Sequence, residues 1–232
     1  MVESGTSASV LAVDGPSGSG KGTVCRLLAE HLGWHLLDSG ALYRLVALGG
    51  AARGFDPGDE SGHAAVATGL DARFEVDASG AERVVLEGRD VTRELRAEST
   101  GNMASVVAAM PAVRTALFAR QRAFARPPGL VADGRDMGTV VFPSAALKVF
   151  LTASAEERAL RRYKQLKEKG LTASLAGLSQ EILERDQRDA ARSTAPLRPA
   201  EDAVLIDSTG VPAETVVLRI LELARARFPA IR

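Results

Sequence analysis

Short apolar runs alternate with longer stretches in which apolar residues recur every three or four positions. Val10–Val13 is the first run and stops at Asp14. Val24, Leu27, Leu28, His31 and Leu32 then share one face of a helix that Gly33 ends. Cys25 reads as a small buried residue on that helix, and His31 as a core or boundary histidine rather than a ligand. Trp34–Asp38, Leu130–Ala132, Leu147–Leu151 and Ala203–Asp207 repeat the strand texture. Helical spacing fills Ala41–Leu48 (ended by Gly49-Gly50), residues 92–126 with a break at Pro111, and Glu214–Arg227. Ser154-Ala155-Glu156-Glu157 reads as a capping box opening a helix that runs to Lys169-Gly170. A polar connector over 171–179 leads to a charged helix over Glu181–Ala191. About five core strands alternating with helices predict a three-layer α/β fold with a five-stranded, mostly parallel sheet.

One region departs from this alternation. Residues 49–66 read as weakly structured, with one short helix over Ala64–Leu70. Leu70–Val76 alternates, Asp77-Ala78-Ser79-Gly80 is a turn, and Glu82–Gly88 is a second strand, so a hairpin is expected. A small antiparallel insert in an otherwise parallel fold is either a substrate clamp or an edge sheet without a role.

Composition narrows the class. In 232 residues, 46% are hydrophobic and 25% charged, which is globular rather than disordered. Lys plus Arg and Asp plus Glu both number 29, so bulk attraction to nucleic acid or to an anionic membrane is not expected. With Cys25 as the sole cysteine no internal disulfide forms, which fits a reducing, cytoplasmic setting. No stretch reaches the roughly 18 apolar residues of a membrane span. Residues 1–9 lack the basic start of a signal peptide and read as a disordered lead-in. Long apolar edges are not obvious, so a monomer is expected.

The candidate chemistry begins where the first strand ends. Gly15-Pro16-Ser17-Gly18-Ser19-Gly20-Lys21 lies between strand and helix, the context of a phosphate-binding loop. Small residues let the backbone wrap a phosphate chain, and the helix dipole adds attraction. Lys21 brings a mobile charge for the outer phosphates. The general pattern wants Ser or Thr after the lysine; here Gly22 follows and Thr23 comes next, so Thr23 is the candidate metal-side hydroxyl, acting directly or through water.

Ser39, in the turn at the end of the second strand, and Arg44, one turn into the next helix, either reach into the sheet's crevice or act as a cap and a solvated arginine. Asp133-Gly134-Arg135-Asp136 follows an apolar strand and is either a solvating turn or the carboxylate site that organises magnesium. Glu184–Asp189 and Arg192 form either a solvated helix face or an arginine-bearing lid.

Gly15–Thr23, Leu37-Asp38-Ser39-Gly40-Ala41-Leu42-Tyr43-Arg44, Asp133–Thr139 and Glu184–Asp189 together resemble the bacterial cytidylate kinase family, over about Val10 to Arg227. Those kinases usually carry Gly-Lys-Gly-Thr in the loop, as here. The resemblance implies a single P-loop kinase domain over residues 10–232, with an acceptor-binding insert at 66–100 and a helical lid at 158–192. It implies ATP with Mg2+ as donor and CMP or dCMP as acceptor. Residues 15–23 would then hold ATP, and Lys21, Arg135 and Arg192 would be catalytic. Ser39, Arg44, Arg135 and Arg192 would bind the acceptor phosphate. Ser105, Arg114 and Asp136 would read cytosine, and Asp189 would hold the ribose.

Other classes fit less well. A GTP-dependent switch needs a guanine-reading Asn-Lys-x-Asp, and the only asparagine, Asn102, precedes Met103. A kinase for shikimate, UMP or AMP is opposed by the third motif with Ser105 and Arg114, through the resemblance alone. Nucleic-acid binding by stacking is opposed by 4% aromatic content and zero net charge.

Overall fold

Val10–Val13 are apolar on both sides of the chain, a pattern that belongs at the centre of a sheet covered on two faces. The computed structural model describes residues 8–76, 82–168, 170 and 172–229. It divides into two compact units, Met1–Asp38 with Gln121–Arg232, and Ser39–Arg120. In the first unit strand β1 (Ser9–Asp14) leads into helix α1 (Lys21–Leu32) and strand β2 (His35–Asp38). Ser9 belongs to β1, so the predicted lead-in is shorter than residues 1–9; residues 1–7 of it lie outside the described residues. Gly33 ends α1 in a left-handed turn and donates to the carbonyls of Ala29 and Glu30. Cys25 is buried as expected. His31 is not a core residue: it is exposed, and its Nδ1–H donates to the Leu27 carbonyl at 2.9 Å.

The second unit opens with α2 (Ser39–Ala52) and α3 (Glu60–Thr68). Gly49-Gly50 does not stop α2. A Cβ at Gly49 would lie 2.7 Å from Val66 Cγ1 and one at Gly50 2.4 Å from His63 Nε2, so both glycines serve close helix packing. The second helix starts at Glu60 rather than Ala64, because Asp59 accepts from the Gly62 N–H at 2.9 Å and caps it. Strands β3 (Ala72–Val76) and β4 (Glu82–Leu86) pair antiparallel with Phe74 opposite Val84. The predicted turn 77–80 lies outside the described residues. A short β5 (Arg89–Asp90) adds a third strand. The predicted helical stretch is three helices: α4 (Thr92–Leu95), α5 (Glu98–Val107) and α6 (Pro111–Arg122). Pro111 opens α6, a position where a missing N–H costs nothing.

The chain returns to the first unit through β6 (Gly129–Gly134), fully buried, and a π-helical turn over Met137–Val141. Strand β7 (Leu147–Thr152), helices α7 (Ala155–Glu168) and α8 (Leu175–Ala190), strand β8 (Val204–Asp207) and helix α9 (Ala213–Arg227) complete it. Ser154 caps α7, accepting from the Glu157 N–H at 3.2 Å. The expected end of α7 at Lys169 lies outside the described residues. Most of the predicted polar connector is α8, which starts at Leu175 because Ser174 accepts from the Gly177 N–H at 3.3 Å. The sheet order is β2-β6-β1-β7-β8, and every pair is parallel. Leu11, Val13, Val131, Val149 and Ile206 of the sheet pack with Val24 and Leu28 of α1 and Val217 and Ile220 of α9. The strands are parallel, so their C-terminal ends, and the acids that close them, share one edge of the sheet.

Candidate active site

The phosphate loop crosses the end of β7 at Gly15. A Cβ there would lie 2.0 Å from the Leu151 carbonyl oxygen, so only glycine fits. Gly18 and Gly20 have φ of +79° and +90°, left-handed turns that coil the loop. Side chains from elsewhere in the unit hold it from outside. Arg158 donates to the Ser17 carbonyl at 3.2 Å and Arg161 to the Ser19 carbonyl at 3.3 Å, both from α7. The Ser208 hydroxyl donates to the Ser19 carbonyl at 3.0 Å. Carbonyls engaged on that side leave the N–H groups to the other.

Lys21 is 5% exposed, and its ammonium donates to the Pro16 carbonyl at 2.8 Å. Burial, and then the Arg135 charge, push it down to about 8, against the pull of Asp133 and Asp14. Asp133 lies in register between Asp38 on β2 and Val13 on β1. Burial pushes its carboxyl up to about 7 although Lys21 attracts the charged form. Asp14 is pushed up to about 6, again by burial. Its two oxygens accept from the Met137 and Gly138 N–H groups, each at 2.8 Å. Gly22 and Thr23 are exposed in the first turn of α1, and a Cβ on Gly22 would lie 3.7 Å from an Asp133 oxygen.

A second group forms between the end of β6 and the end of α8. Arg135 Nε donates to Asp189 Oδ2 at 3.1 Å, and Arg192 donates to Asp189 Oδ1. Burial pushes the Asp189 carboxyl up, but Arg135, Arg192 and Arg185 outweigh it and hold the group below its ordinary value. Arg158 of α7 pairs with Asp186 of α8 at 2.7 Å, so α8 is tied to a residue that holds the phosphate loop. Asp136 is buried, and its carbonyl accepts from the Val140 and Val141 N–H groups at 2.9 and 3.1 Å, which winds the π turn.

The first unit therefore brings together residues 15–23, Asp133, Arg135, Asp136, Asp189 and Arg192. The other four predicted residues lie in the second unit. Ser39 is the buried first residue of α2. Arg44 donates to the carbonyls of Leu95 and Ala97 at 2.9 and 3.2 Å. Ser105 is buried on α5. Arg114 on α6 donates to the Ala108 carbonyl at 3.2 Å, with its guanidinium 5.8 Å from the centre of the Tyr43 ring.

A family model described as cytidylate kinase matches residues 11–226, spanning both groups and the second unit. The chain belongs to the cytidylate kinase family. Curated relatives agree. It is 56% identical over 221 residues to a cytidylate kinase of Aeromonas hydrophila subsp. hydrophila, covering 95% of this chain and 96% of that one. It is 60% identical over 215 residues to a cytidylate kinase of Pseudomonas syringae pv. tomato, covering 92% and 94%. A solved structure of an uncharacterized protein from Eubacterium ventriosum shares the fold, with a TM-score of 0.53 at 11% identity over 95% of this chain and 99% of that one.

In this cytidylate kinase family member, Asp14, Arg158, Arg161 and Ser208 carry structural duties at the site that the motifs do not announce. The signal for the two arginines is their three-residue spacing on one face of a helix that follows a strand end. No signal local to Ser208 or Asp14 betrays a partner far away in sequence. Among the described residues, no cluster of three His, Cys, Asp or Glu side chains could hold a metal ion by itself. No single described helix is long and apolar enough to cross a membrane.

Proposed function

We infer that this kinase transfers the γ-phosphoryl group of ATP to CMP or dCMP, releasing ADP with CDP or dCDP. The observation that carries this is the family match from residue 11 to 226, which takes in every motif of the resemblance. An oxygen of the acceptor phosphate attacks the γ-phosphorus, and the bond to the bridging oxygen of ADP breaks. The protein's work is positioning and charge stabilisation.

In this reading residues 15–20 and Gly22 cradle the donor phosphates, and Lys21 follows the charge that develops during transfer. Arg135 and Arg192 take the acceptor phosphate, together with Ser39 and Arg44. As the guanidinium groups turn to phosphate, Asp189 is released to accept from ribose hydroxyls. Asp136 and Ser105, with Arg114, read the cytosine edge. The exocyclic amine of cytosine is a donor, which a carboxylate accepts, whereas uracil presents an acceptor there. UMP is therefore a poor substrate in this reading, not the preferred one. Residues 66–100 serve as the acceptor-binding insert and 158–192 as the lid, within one kinase domain.

The donor set suits a magnesium ion held chiefly by substrate phosphates and water. Thr23 brings an exposed hydroxyl, and Asp133 a buried carboxylate beside Gly22 that a cation would relieve of its burial. Magnesium supplies charge neutralisation across the donor phosphates. The reading also puts the protein in the cytoplasm, on its single cysteine, and as a monomer, on the lack of long apolar edges in its sequence. The test is ADP release with ATP and magnesium across CMP, dCMP, UMP, AMP, GMP and no acceptor. Turnover is expected with CMP and dCMP and weakly with UMP; turnover with none of them would overturn the assignment.

A further inference from the structure

The carboxylate of Asp14 turns sideways, to the loop that leaves the neighbouring strand β6. It is 4% exposed, and it engages two consecutive backbone N–H groups with one oxygen each, both at 2.8 Å. Those donors, from Met137 and Gly138, open the π turn and have no partner within it. Bidentate contact fixes the loop's rotation as well as its distance. A Cβ on Gly138 would lie 3.4 Å from the same carboxylate and 3.1 Å from Lys148 Cδ, so the approach is close. The residue before this pair is Asp136, whose carbonyl is held in turn by the Val140 and Val141 N–H groups. The peptide bond that follows Asp136 is thus held at both its carbonyl and its N–H, and Arg135 is the residue just before Asp136.

We propose that Asp14 is a positioning residue for the acceptor, its charge holding the loop that aims Asp136 and Arg135. The proposal rests on the reading that those two residues face CMP. It adds a residue from the donor side of the site. Asp14 sits directly before the phosphate loop, so the same strand end fixes the donor loop and the acceptor-reading loop.

Asp14→Asn tests it. An amide has one acceptor oxygen, and its NH2 would face a backbone N–H, donor against donor. Losing one charge-assisted bond is expected to raise KM for CMP roughly tenfold or more and shrink the CMP-over-UMP preference by a similar factor. Affinity for a fluorescent ATP analogue should stay within about twofold, a split that general loss of structure would not produce. In an amide NMR spectrum the Met137 and Gly138 protons should move upfield as the charged acceptor is lost. If Asp14→Asn does not fold, Asp14→Glu keeps the charge on a longer arm and is expected to show the same split.

Asp136→Ala, measured alongside, separates this proposal from the reading beneath it. If Asp136→Ala keeps the base preference, the cytosine assignment fails. Asp14 is then judged on the two amide protons and on KM for CMP through Arg135. Unmoved amide protons, or an unchanged KM and base preference, would overturn the proposal.

Discussion

Asp133 and Asp189 are both buried carboxylates of the first unit, and their surroundings treat the charge in opposite ways. Asp133 stands among strand ends with Asp14 and Asp38 nearby, and Lys21 does not offset its burial. Asp189 is flanked by Arg135 and Arg192, which more than offset the same burial. The region around the phosphate loop thus has carboxylates that gain from a cation, whereas the end of α8 has two guanidinium groups per carboxylate and gains from an anion. A donor bound with magnesium and an acceptor phosphate answer these two needs. Because each region's imbalance is local, a chain of zero net charge still concentrates charge where transfer requires it.

Removing the lysine from the first region should have the largest effect. Lys21→Met is expected to lower kcat with CMP by about a thousandfold or more, since such charges act where the transition state develops charge. Steady-state kinetics at saturating ATP read this directly. Next comes the carboxylate of the second region. Asp189→Ala leaves Arg135 and Arg192 facing each other without compensation, and should cost about 3 kcal/mol of folding stability in urea titrations.

Asp133→Asn sharpens the contrast because stability and activity should move in opposite directions. A carboxyl pushed up in the folded state holds a proton that the unfolded chain has already lost. Between about 4 and about 7, stability therefore falls as pH rises through the Asp133 range. Asp189 has the reverse sign: its contribution is present above its ordinary value of 3.8 and is lost as pH falls below it. Asp133→Asn should flatten the decline between pH 5 and 7 and raise Tm at pH 7 by a few degrees, roughly the effect of 1 kcal/mol. Its magnesium-dependent turnover should drop. A calorimetric pH series with and without the substitution decides this.

The smallest effect belongs outside both regions. Arg26 and Glu30 pair at 3.1 Å on the solvent-facing side of α1, with 49% and 58% of their side chains accessible. Glu30→Ala should change stability by less than about 0.5 kcal/mol. A larger value would mean that surface pairs matter here as much as the buried ones.

The parallel core was legible in the sequence because each of its strands is a short apolar run closed by a polar stop, and Ser154 marks the start of the helix after β7. The phosphate loop was legible because its glycines answer a local backbone need. What sequence did not reveal depends on neighbours distant in the chain. Gly49-Gly50 reads as a stop, and only His63 and Val66 explain why the helix runs on. Ser174 is a plain cap signal, yet Gly177 among the small residues after it hid the first turns of α8. Asp14 reads as the end of a strand, while its partners lie at Met137 and Gly138. Arg158 and Arg161 are spaced to share one helix face, and only their distant partners at Ser17 and Ser19 show that both grip the phosphate loop.

The division between a cation-seeking and an anion-seeking region is tested most directly by calorimetric titration of Arg192→Ala with CMP and, separately, with a non-hydrolysable ATP analogue. CMP binding is expected to weaken at least about tenfold, the worth of one lost charge-assisted contact, with ATP-analogue binding little changed. Equal losses for both ligands, or CMP binding at wild-type strength, would contradict it.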